Sequence, residues 1–214
     1  MFIYPKTYQL FERDNNTKKL IFGKYLYASY ENIKKWHVEE KIDGTNIRLS
    51  LFPDGTYQMG GRSDNSNIPS GIVNFIMQHF SWARILNFFA TKDNCAEVIL
   101  FMEGFGAKIQ NGGELYRDDA SLCLFDVRIN DFWLSRDAVK SIANQLELIT
   151  PPSYGLMTID EIVELVSSEP HSTLAQKDRV IEGIIARTDP ILLKNNGERL
   201  MFKLRCEDMK RMKK

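Results

Sequence analysis

Lys41 ends an apolar stretch and stands two residues before an Asp-Gly pair in Lys41-Ile42-Asp43-Gly44-Thr45-Asn46. A lysine in that setting can project into a cleft instead of lying on a solvated face. Glu103, in Phe101-Met102-Glu103-Gly104-Phe105-Gly106, directly follows an apolar run. A carboxylate there is unusual, because Glu is rarely buried without a partner. The adjoining glycines let the backbone approach a ligand closely. Glu182 interrupts the apolar run from Val180 to Arg187. On a period of two it shares a face with Val180 and Ile184, the side expected to be dry. Such a carboxylate is costly unless a cation or a metal meets it. Lys203 and Arg205 share one face of Met201-Phe202-Lys203-Leu204-Arg205. An arginine binds phosphate bidentately and a lysine acts on it as a point charge.

Each segment also has an ordinary structural reading. Asp43-Gly44 suits a hairpin turn, as does Asp54-Gly55 further on. Glu103 can close a strand before a glycine-rich loop. Glu182 can form a structural ion pair, and Lys203 and Arg205 can coat a solvated strand face. Their order along the chain carries more than any one of them. A lysine nucleophile, two separated carboxylates and a terminal pair of cations are the set needed for attack on a nucleotide α-phosphate. Attack requires the neutral amine. The carboxylates would hold a metal or the ribose, and the cations would stabilise charge as pyrophosphate leaves.

The elements that must position these groups are read from periodicity. Residues 36–41 and 46–52 read as strands, the second with Ile47, Leu49 and Leu51 alternating, and 56–62 as a third. Pro53-Asp54-Gly55 marks the turn between the last two. Residues 71–90 read as one helix, with Ile72, Phe75, Ile76, His79, Phe80, Ala83 and Leu86 on one stripe. On that stripe His79 reads as a satisfied core residue; His37 and His171 carry no assignment. Residues 98–102 and 122–127 read as buried strands. A helix starts near Ser135 and runs to Leu148, and another starts at Thr158, whose spacing to Glu161 fits a capping box. Val180–Arg187 and Leu200–Leu204 are the last strands. The pattern predicts an α+β fold of mostly antiparallel sheets.

The chain has 214 residues and no internal repeat, low-complexity tract or Pro/Gly/Ser linker. One compact unit is the simplest reading of a length that allows one or two domains. Three cysteines, Cys95, Cys123 and Cys206, lie far apart without Cys-x-x-Cys spacing. That argues against a disulfide framework or a zinc cluster and suits a reducing cytoplasm. No apolar run approaches a membrane span, and the first residues do not resemble a signal peptide. Lys plus Arg equals Asp plus Glu at 28 each. Nucleic-acid binding by bulk positive charge is therefore excluded, but a local basic groove is not. The last 14 residues, including Lys203, Arg205, Lys210, Arg211, Lys213 and Lys214, carry a net +4 and the remainder −4.

The segments together resemble the covalent nucleotidyltransferases, that is, polynucleotide ligases and messenger-RNA capping enzymes. Lys41-x-Asp43-Gly44 is similar to their first motif, Glu103-Gly104 to the third and Leu124-Phe125-Asp126-Val127 to the next. Glu182-Gly183-Ile184-Ile185 and Lys203-Leu204-Arg205 are similar to the fourth and fifth. Within that superfamily the chain resembles the phage-type RNA ligase 2 family. Asn46 stands five residues after the lysine, where DNA ligases and capping enzymes usually carry Arg. Ile109-Gln110 follows the glycines, and Arg62 occupies the place of a nucleotide-contacting arginine. Asp43 departs from the His often found in that family.

The resemblance implies an ATP-grasp-like nucleotidyltransferase fold of antiparallel sheets flanked by helices, with a nucleotide cleft between them. It implies an ATP-dependent RNA ligase: Lys41 takes AMP from ATP, the adenylate passes to a nucleic-acid 5′-phosphate, and a 3′-hydroxyl displaces AMP. The other readings are a minimal DNA or RNA/DNA-hybrid nick ligase and, less in keeping with an intact Lys41, a non-catalytic nucleic-acid-binding relative. The roles implied are catalysis by Lys41, Glu182, Lys203 and Arg205, and nucleotide binding by Glu40, Ile42, Asn46, Arg62, Glu103, Phe125, Glu182 and Lys203. Phe125 would stack on the base. Magnesium or manganese would be held by Glu103 and Glu182. The expected partner is RNA in a nicked duplex. Residues 1–214 are expected to form a single nucleotidyltransferase domain, since nine residues after Arg205 cannot build a separate C-terminal domain. Self-adenylation is then expected of this chain, with strand sealing weaker or dependent on a partner protein that replaces that domain.

Overall fold

The computed structural model describes residues 1–213, with the side chain of Lys213 outside that description, as is Lys214. Of the two terminal lysines counted in the basic segment, Lys214 and the side chain of Lys213 therefore lie outside the description. The chain forms strands β1 (Phe11–Arg13), β2 (Leu20–Tyr25), β3 (Trp36–Glu40), β4 (Thr45–Leu51) and β5 (Tyr57–Gly60), then helices α1 (Ser70–His79) and α2 (Trp82–Phe89). Strands β6 (Val98–Phe105), β7 (Ser121–Ile129) and β8 (Phe132–Trp133) precede α3 (Arg136–Gln145), β9 (Ser153–Met157) and α4 (Ile159–Ser167). Strands β10 (Gly183–Arg187) and β11 (Met201–Arg205) lead into α5 (Cys206–Lys213). None of the described helices is long and apolar enough to cross a membrane.

The described residues divide into two compact units. The first holds Met1–Tyr4, Asp43–Pro151 and Ala175–Lys177. Its five strands form an antiparallel sheet in the order β5-β4-β6-β7-β8. The alternation in β4 works as the pattern requires: Ile47, Leu49 and Leu51 are fully buried and meet Val98, Leu100 and Met102 of β6 in one core. Helices α1, α2 and α3 cover that face through Ile72, Ile76, Ile85, Phe88, Val139 and Ile142. The other face carries Asn46, Arg48, Phe101 and Glu103, because successive strand residues point to opposite sides. The turn at Pro53-Asp54-Gly55 forms, with the Asp54 carboxylate accepting from the Thr56 N–H at 2.9 Å.

The single helix expected over 71–90 is two helices. At Phe80 the backbone leaves the helical region (φ −99°, ψ 66°). Ser81 then caps α2, its hydroxyl accepting from the Arg84 N–H at 3.3 Å. The break shifts the phase of the apolar stripe, so that Ile85 and Phe88 are buried while Ala83 is exposed. His79 is satisfied as expected, with Nε2 2.7 Å from the Leu146 carbonyl and its ring stacked on Phe75. The helix expected to reach Leu148 stops at Gln145. Glu147 turns with φ +54°, and Ile149 forms an isolated bridge with Cys123.

The second unit holds Pro5–Ile42, Pro152–Leu174 and Asp178 onward. Its four-stranded antiparallel sheet runs β11-β10-β3-β9, beside a two-stranded β1-β2 ribbon. Trp36, Val38, Ile184, Ala186, Phe202 and Leu204 share one buried face, packed with Leu10, Ile162, Val166 and Met209. Helix α4 begins with the predicted capping box between Thr158 and Glu161. One expectation changes here. The strand expected from Val180 begins at Gly183, so Glu182 precedes it and Val180 makes only an isolated bridge with His171. The residues after Arg205 form α5, because Cys206 and Met209 are drawn into the apolar core.

Candidate active site

In the second unit the aligned registers place Glu39, Ile185 and Lys203 in one row across three strands. Lys203 and Arg205 stand on the face opposite buried Phe202 and Leu204, as their spacing predicts. Lys41 follows β3 directly. Its backbone N–H donates to the Gly183 carbonyl at 2.9 Å, and the Cys206 N–H donates to the Glu182 carbonyl at 3.0 Å. These two bonds hold Glu182 between the end of β3 and the start of α5. The Lys41 ammonium then lies 2.5 Å from Glu182 Oε2, each side chain about a quarter exposed (24% and 23%). The dry strand face expected for Glu182 is replaced by this partly solvated ion pair. Gly183 is required here, since a Cβ would lie 2.2 Å from the Leu204 carbonyl oxygen. Glu40 and Ile42, on either side of Lys41, are both buried.

Arg205 is held by a residue that the sequence did not single out. Asp208, one turn into α5, accepts from Arg205 Nε at 2.9 Å and from Arg205 Nη2 at 3.4 Å. It also accepts from Arg13 at 2.9 Å and from Gln9 at 3.3 Å. Burial pushes the Asp208 carboxyl up, but the hydrogen bonds and charges of Arg205 and Arg13 outweigh it and hold it below its ordinary value. The Arg205 guanidinium is correspondingly held in its charged form, first by its hydrogen bond to Asp208 and against desolvation.

In the first unit Asn46 and Glu103 face each other directly across β4 and β6. Directly opposed residues place their Cβ atoms about 4.5–5.5 Å apart. Asn46 Oδ1 is buried and has no hydrogen-bond partner among the described residues. A buried acceptor of that kind fits a ligand hydroxyl or amino group. Glu103 lies inside β6, not after it. The glycines around it were expected to let the backbone approach a ligand closely; it is protein that they let approach. A Cβ on Gly104 would meet Ile72 at 2.9 Å, and one on Gly106 would meet the Asp119 carbonyl at 2.0 Å. A Cβ on Gly44 would likewise meet the Gly104 carbonyl at 2.3 Å, so these two glycines let the chain after Lys41 lie against β6. The buried Tyr116 hydroxyl accepts from the Asp43 N–H at 3.3 Å.

Phe125 owes its position to a β-bulge. The register of β6 against β7 jumps from Phe101–Asp126 to Met102–Leu124, leaving Phe125 as the extra residue. A bulge of this type re-aims a side chain. The Arg136 guanidinium fixes it by donating to the Phe125 carbonyl at 2.6 Å. Tyr4 meets the Phe125 ring edge-on at 5.1 Å and donates to Asp126 at 2.8 Å. Arg62 is exposed on a loop held by Arg48, whose fully buried guanidinium donates to the Gly61 carbonyl at 2.6 Å. Periodicity shows none of Tyr4, Arg48, Tyr116, Arg136 or Asp208. The one available signal was an arginine inside an apolar strand at Arg48.

Glu103 belongs to the first unit, and Glu182 to the second. Among the described residues no group of three or more His, Cys, Asp or Glu forms a metal cluster.

The fold these elements build is that of solved RNA ligases. An RNA ligase of Naegleria gruberi in its apo form superposes with a TM-score of 0.64 at 17% identity, over 98% of this chain and 58% of the other. The same ligase with AMP and Mn gives 0.64 at 16%, over 99% and 58%. An archaeal ATP-dependent RNA ligase gives 0.60 at 12%, over 97% and 49%. This chain thus spans 49–58% of the length of these proteins. No curated protein matches it. The sequence model of the RNA ligase family matches residues 34–205, most of the chain. The chain belongs to the RNA ligase family.

Proposed function

We propose that this chain is an ATP-dependent RNA ligase that adenylates itself on Lys41. The observation that carries the reading is the Lys41–Glu182 contact at 2.5 Å, on a sheet whose face opposite Phe202 and Leu204 also bears Lys203 and Arg205. Lys41 Nζ attacks the α-phosphorus of ATP. An N–P bond forms, the bond to the bridging oxygen breaks, pyrophosphate leaves, and the amine gives up a proton. Before attack Glu182 holds the Lys41 ammonium and takes one proton from it, leaving the neutral amine; the proton given up on attack goes to the departing pyrophosphate or to water. Lys203 and Arg205 meet the negative charge of the phosphates. The adenylate then passes to a 5′-phosphate of the nucleic acid, with cleavage of the N–P bond, and a 3′-hydroxyl displaces AMP to seal the strand.

Asn46 and Glu103 suit the ribose, with Asn46 Oδ1 as acceptor, and Phe125 presents an aromatic ring for the base. Glu40, Ile42 and Arg62 complete the proposed nucleotide set. Magnesium or manganese fits as an ion carried on the phosphates with Glu103 or Glu182 as a protein ligand, the usual manner for Mg²⁺. It would supply charge neutralisation at the phosphates. The RNA ligases of known structure that share the fold, one with ATP and Mn and one with AMP and Mn, support this nucleotide and this type of metal. The RNA substrate is proposed to be a nicked duplex. Sealing by this chain alone is proposed to be slower than self-adenylation, or to need a partner protein.

Incubation with labelled ATP and magnesium tests the reading. A covalent adduct on the wild type, absent from Lys41→Ala, is expected. Absence of label on the wild type, or its persistence on Lys41→Ala, refutes it. Nicked RNA, DNA and hybrid duplexes then sort the substrate, and sealing confined to nicks with DNA on both sides would refute the RNA assignment.

A further inference from the structure

The Asp208 carboxylate has no exposed surface, yet it is the acceptor for two arginines and a glutamine: Arg205 through Nε at 2.9 Å and Nη2 at 3.4 Å, Arg13 at 2.9 Å and Gln9 at 3.3 Å. The arginine side chains are each about one third exposed (30% for Arg13, 31% for Arg205). The carboxylate is thus inside, and both guanidinium groups reach outward from it. A surface ion pair would place both partners in water and would set neither orientation. Here the contact through Nε and Nη2 fixes the plane of the Arg205 guanidinium, because its donors form a rigid fork.

The donors come from two pieces of chain far apart in sequence. Arg13 ends β1, Gln9 precedes that strand in a parallel bridge with Lys203, and Arg205 ends β11. The Lys203 N–H donates to the Tyr8 carbonyl at 2.8 Å, and the Leu10 N–H donates to the Lys203 carbonyl at 3.1 Å. The segment that brings Gln9 to Asp208 is therefore the one that fixes the backbone of Lys203. An Arg205 that served only the fold would gain nothing from an orientation set by two hydrogen bonds to a buried carboxylate, itself held by Arg13 and Gln9, while a third of it stays open to solvent. Arg13 also donates to the Lys18 carbonyl, so it is tied at both ends.

We propose that Asp208 is the positioning residue that presents Arg205 to the α-phosphate of ATP, with Arg13 neutralising the rest of its charge. The proposal rests on the self-adenylation reading above. Asp208 itself touches no substrate. It holds Arg205 in one plane, so that two N–H groups face the developing charge when ATP arrives, with no search over rotamers.

The test is the single-turnover rate of adduct formation from labelled ATP on the full chain, read across ATP concentrations. Asp208→Asn is expected to lower the rate at saturating ATP by about 10- to 100-fold. Half-saturating ATP should move by less than about threefold, because the contact is used mainly in the transition state. Arg205→Lys keeps a cation but loses the fork, and should show a similar loss. Adding Asp208→Asn to Arg205→Lys should then cost nothing more. If Asp208 serves only the fold, Asp208→Asn reduces the fraction of chain that labels and leaves the rate constant of the labelled fraction unchanged. That result, or an equal further loss in the Arg205→Lys background, overturns the proposal while leaving the ligase reading intact. If Asp208→Asn does not fold at the assay temperature, Arg205→Lys decides: a wild-type rate there shows that orientation is immaterial and overturns the proposal. A wild-type chain that takes no label from ATP refutes the ligase reading and this proposal with it.

Discussion

Replacing Arg48 by Met removes a fully buried guanidinium while keeping a long unbranched side chain in its place. Arg48 donates to the Gly61 carbonyl at 2.6 Å, to the Met1 and Phe2 carbonyls at 3.1 Å each, and to Asp64 at 2.9 Å. The four acceptors differ in what they lose. Gly61 is buried, so its carbonyl keeps no partner, at about 1–3 kcal/mol. The Met1 and Phe2 carbonyls lie where water can replace the donor, and each loss costs about 0.5–1.5 kcal/mol. The Asp64 side chain is 66% exposed, so that pair is worth about 0–1 kcal/mol. Relief of the buried charge offsets part of the total. The expected net destabilisation is about 2–4 kcal/mol, read from the urea midpoint at constant slope. The loop that carries Arg62 should loosen with it, so ATP labelling at subsaturating ATP should fall more than labelling at saturation. A destabilisation below about 0.5 kcal/mol, or a gain, would refute the reasoning, since Arg48 would then be replaceable by any apolar group of its volume.

Further outcomes follow from single contacts. Gly106→Ala should destabilise by at least about 3 kcal/mol in urea denaturation, because φ is +112° and the new Cβ would lie 2.0 Å from the Asp119 carbonyl oxygen. Asp208 titrates below its ordinary 3.8 in the folded chain. A depressed carboxylate stabilises above its unfolded value and loses that stabilisation as pH falls through the folded one. The stability gap between wild type and Asp208→Asn should therefore be full at pH 6 and narrow below about pH 4. Cys206 is buried, and burial with the nearby Glu169 carboxylate pushes its thiol up to about 11. Native chain at pH 8 should therefore leave Cys206 unalkylated by iodoacetamide, and urea should expose it, as peptide mapping would show. Thr158→Ala should cost about 1 kcal/mol through loss of the capping box, seen as a lower midpoint in thermal melting.

Wherever a local pattern has one physical outcome, the sequence was readable. Ile47, Leu49 and Leu51 alternate because one face of β4 is dry, and all three are fully buried. Thr158 and Glu161 cap α4 because their spacing lets each side chain reach the other's backbone N–H. His79 found its partners on a helical stripe. The same logic failed at Phe80 and Ser81. There a continuous stripe concealed a break, since the pattern records apolar spacing and not the competing cap. At Glu182 the alternation misled, because the strand begins one residue after it and Glu182 never joins the dry face. Gly183 meets Leu204 too closely for a side chain, and the Lys41 and Cys206 amides hold the backbone on either side.

The sequence by itself determined the order of the lysine, the two carboxylates and the paired cations, and with it the family. These depend on residue type and spacing, which the chain carries in one dimension. Tertiary structure alone decided what each group faces. It set the Lys41 ammonium against Glu182, aimed Phe125 by a bulge that exists only because β6 and β7 lose register, and placed Asp208 behind Arg205 with Arg13 from a strand near the other end of the chain. Such contacts join residues as many as 199 positions apart in sequence. They have no periodic signal, because a side chain's partner across the fold is fixed by where other strands pass, not by its neighbours in the chain.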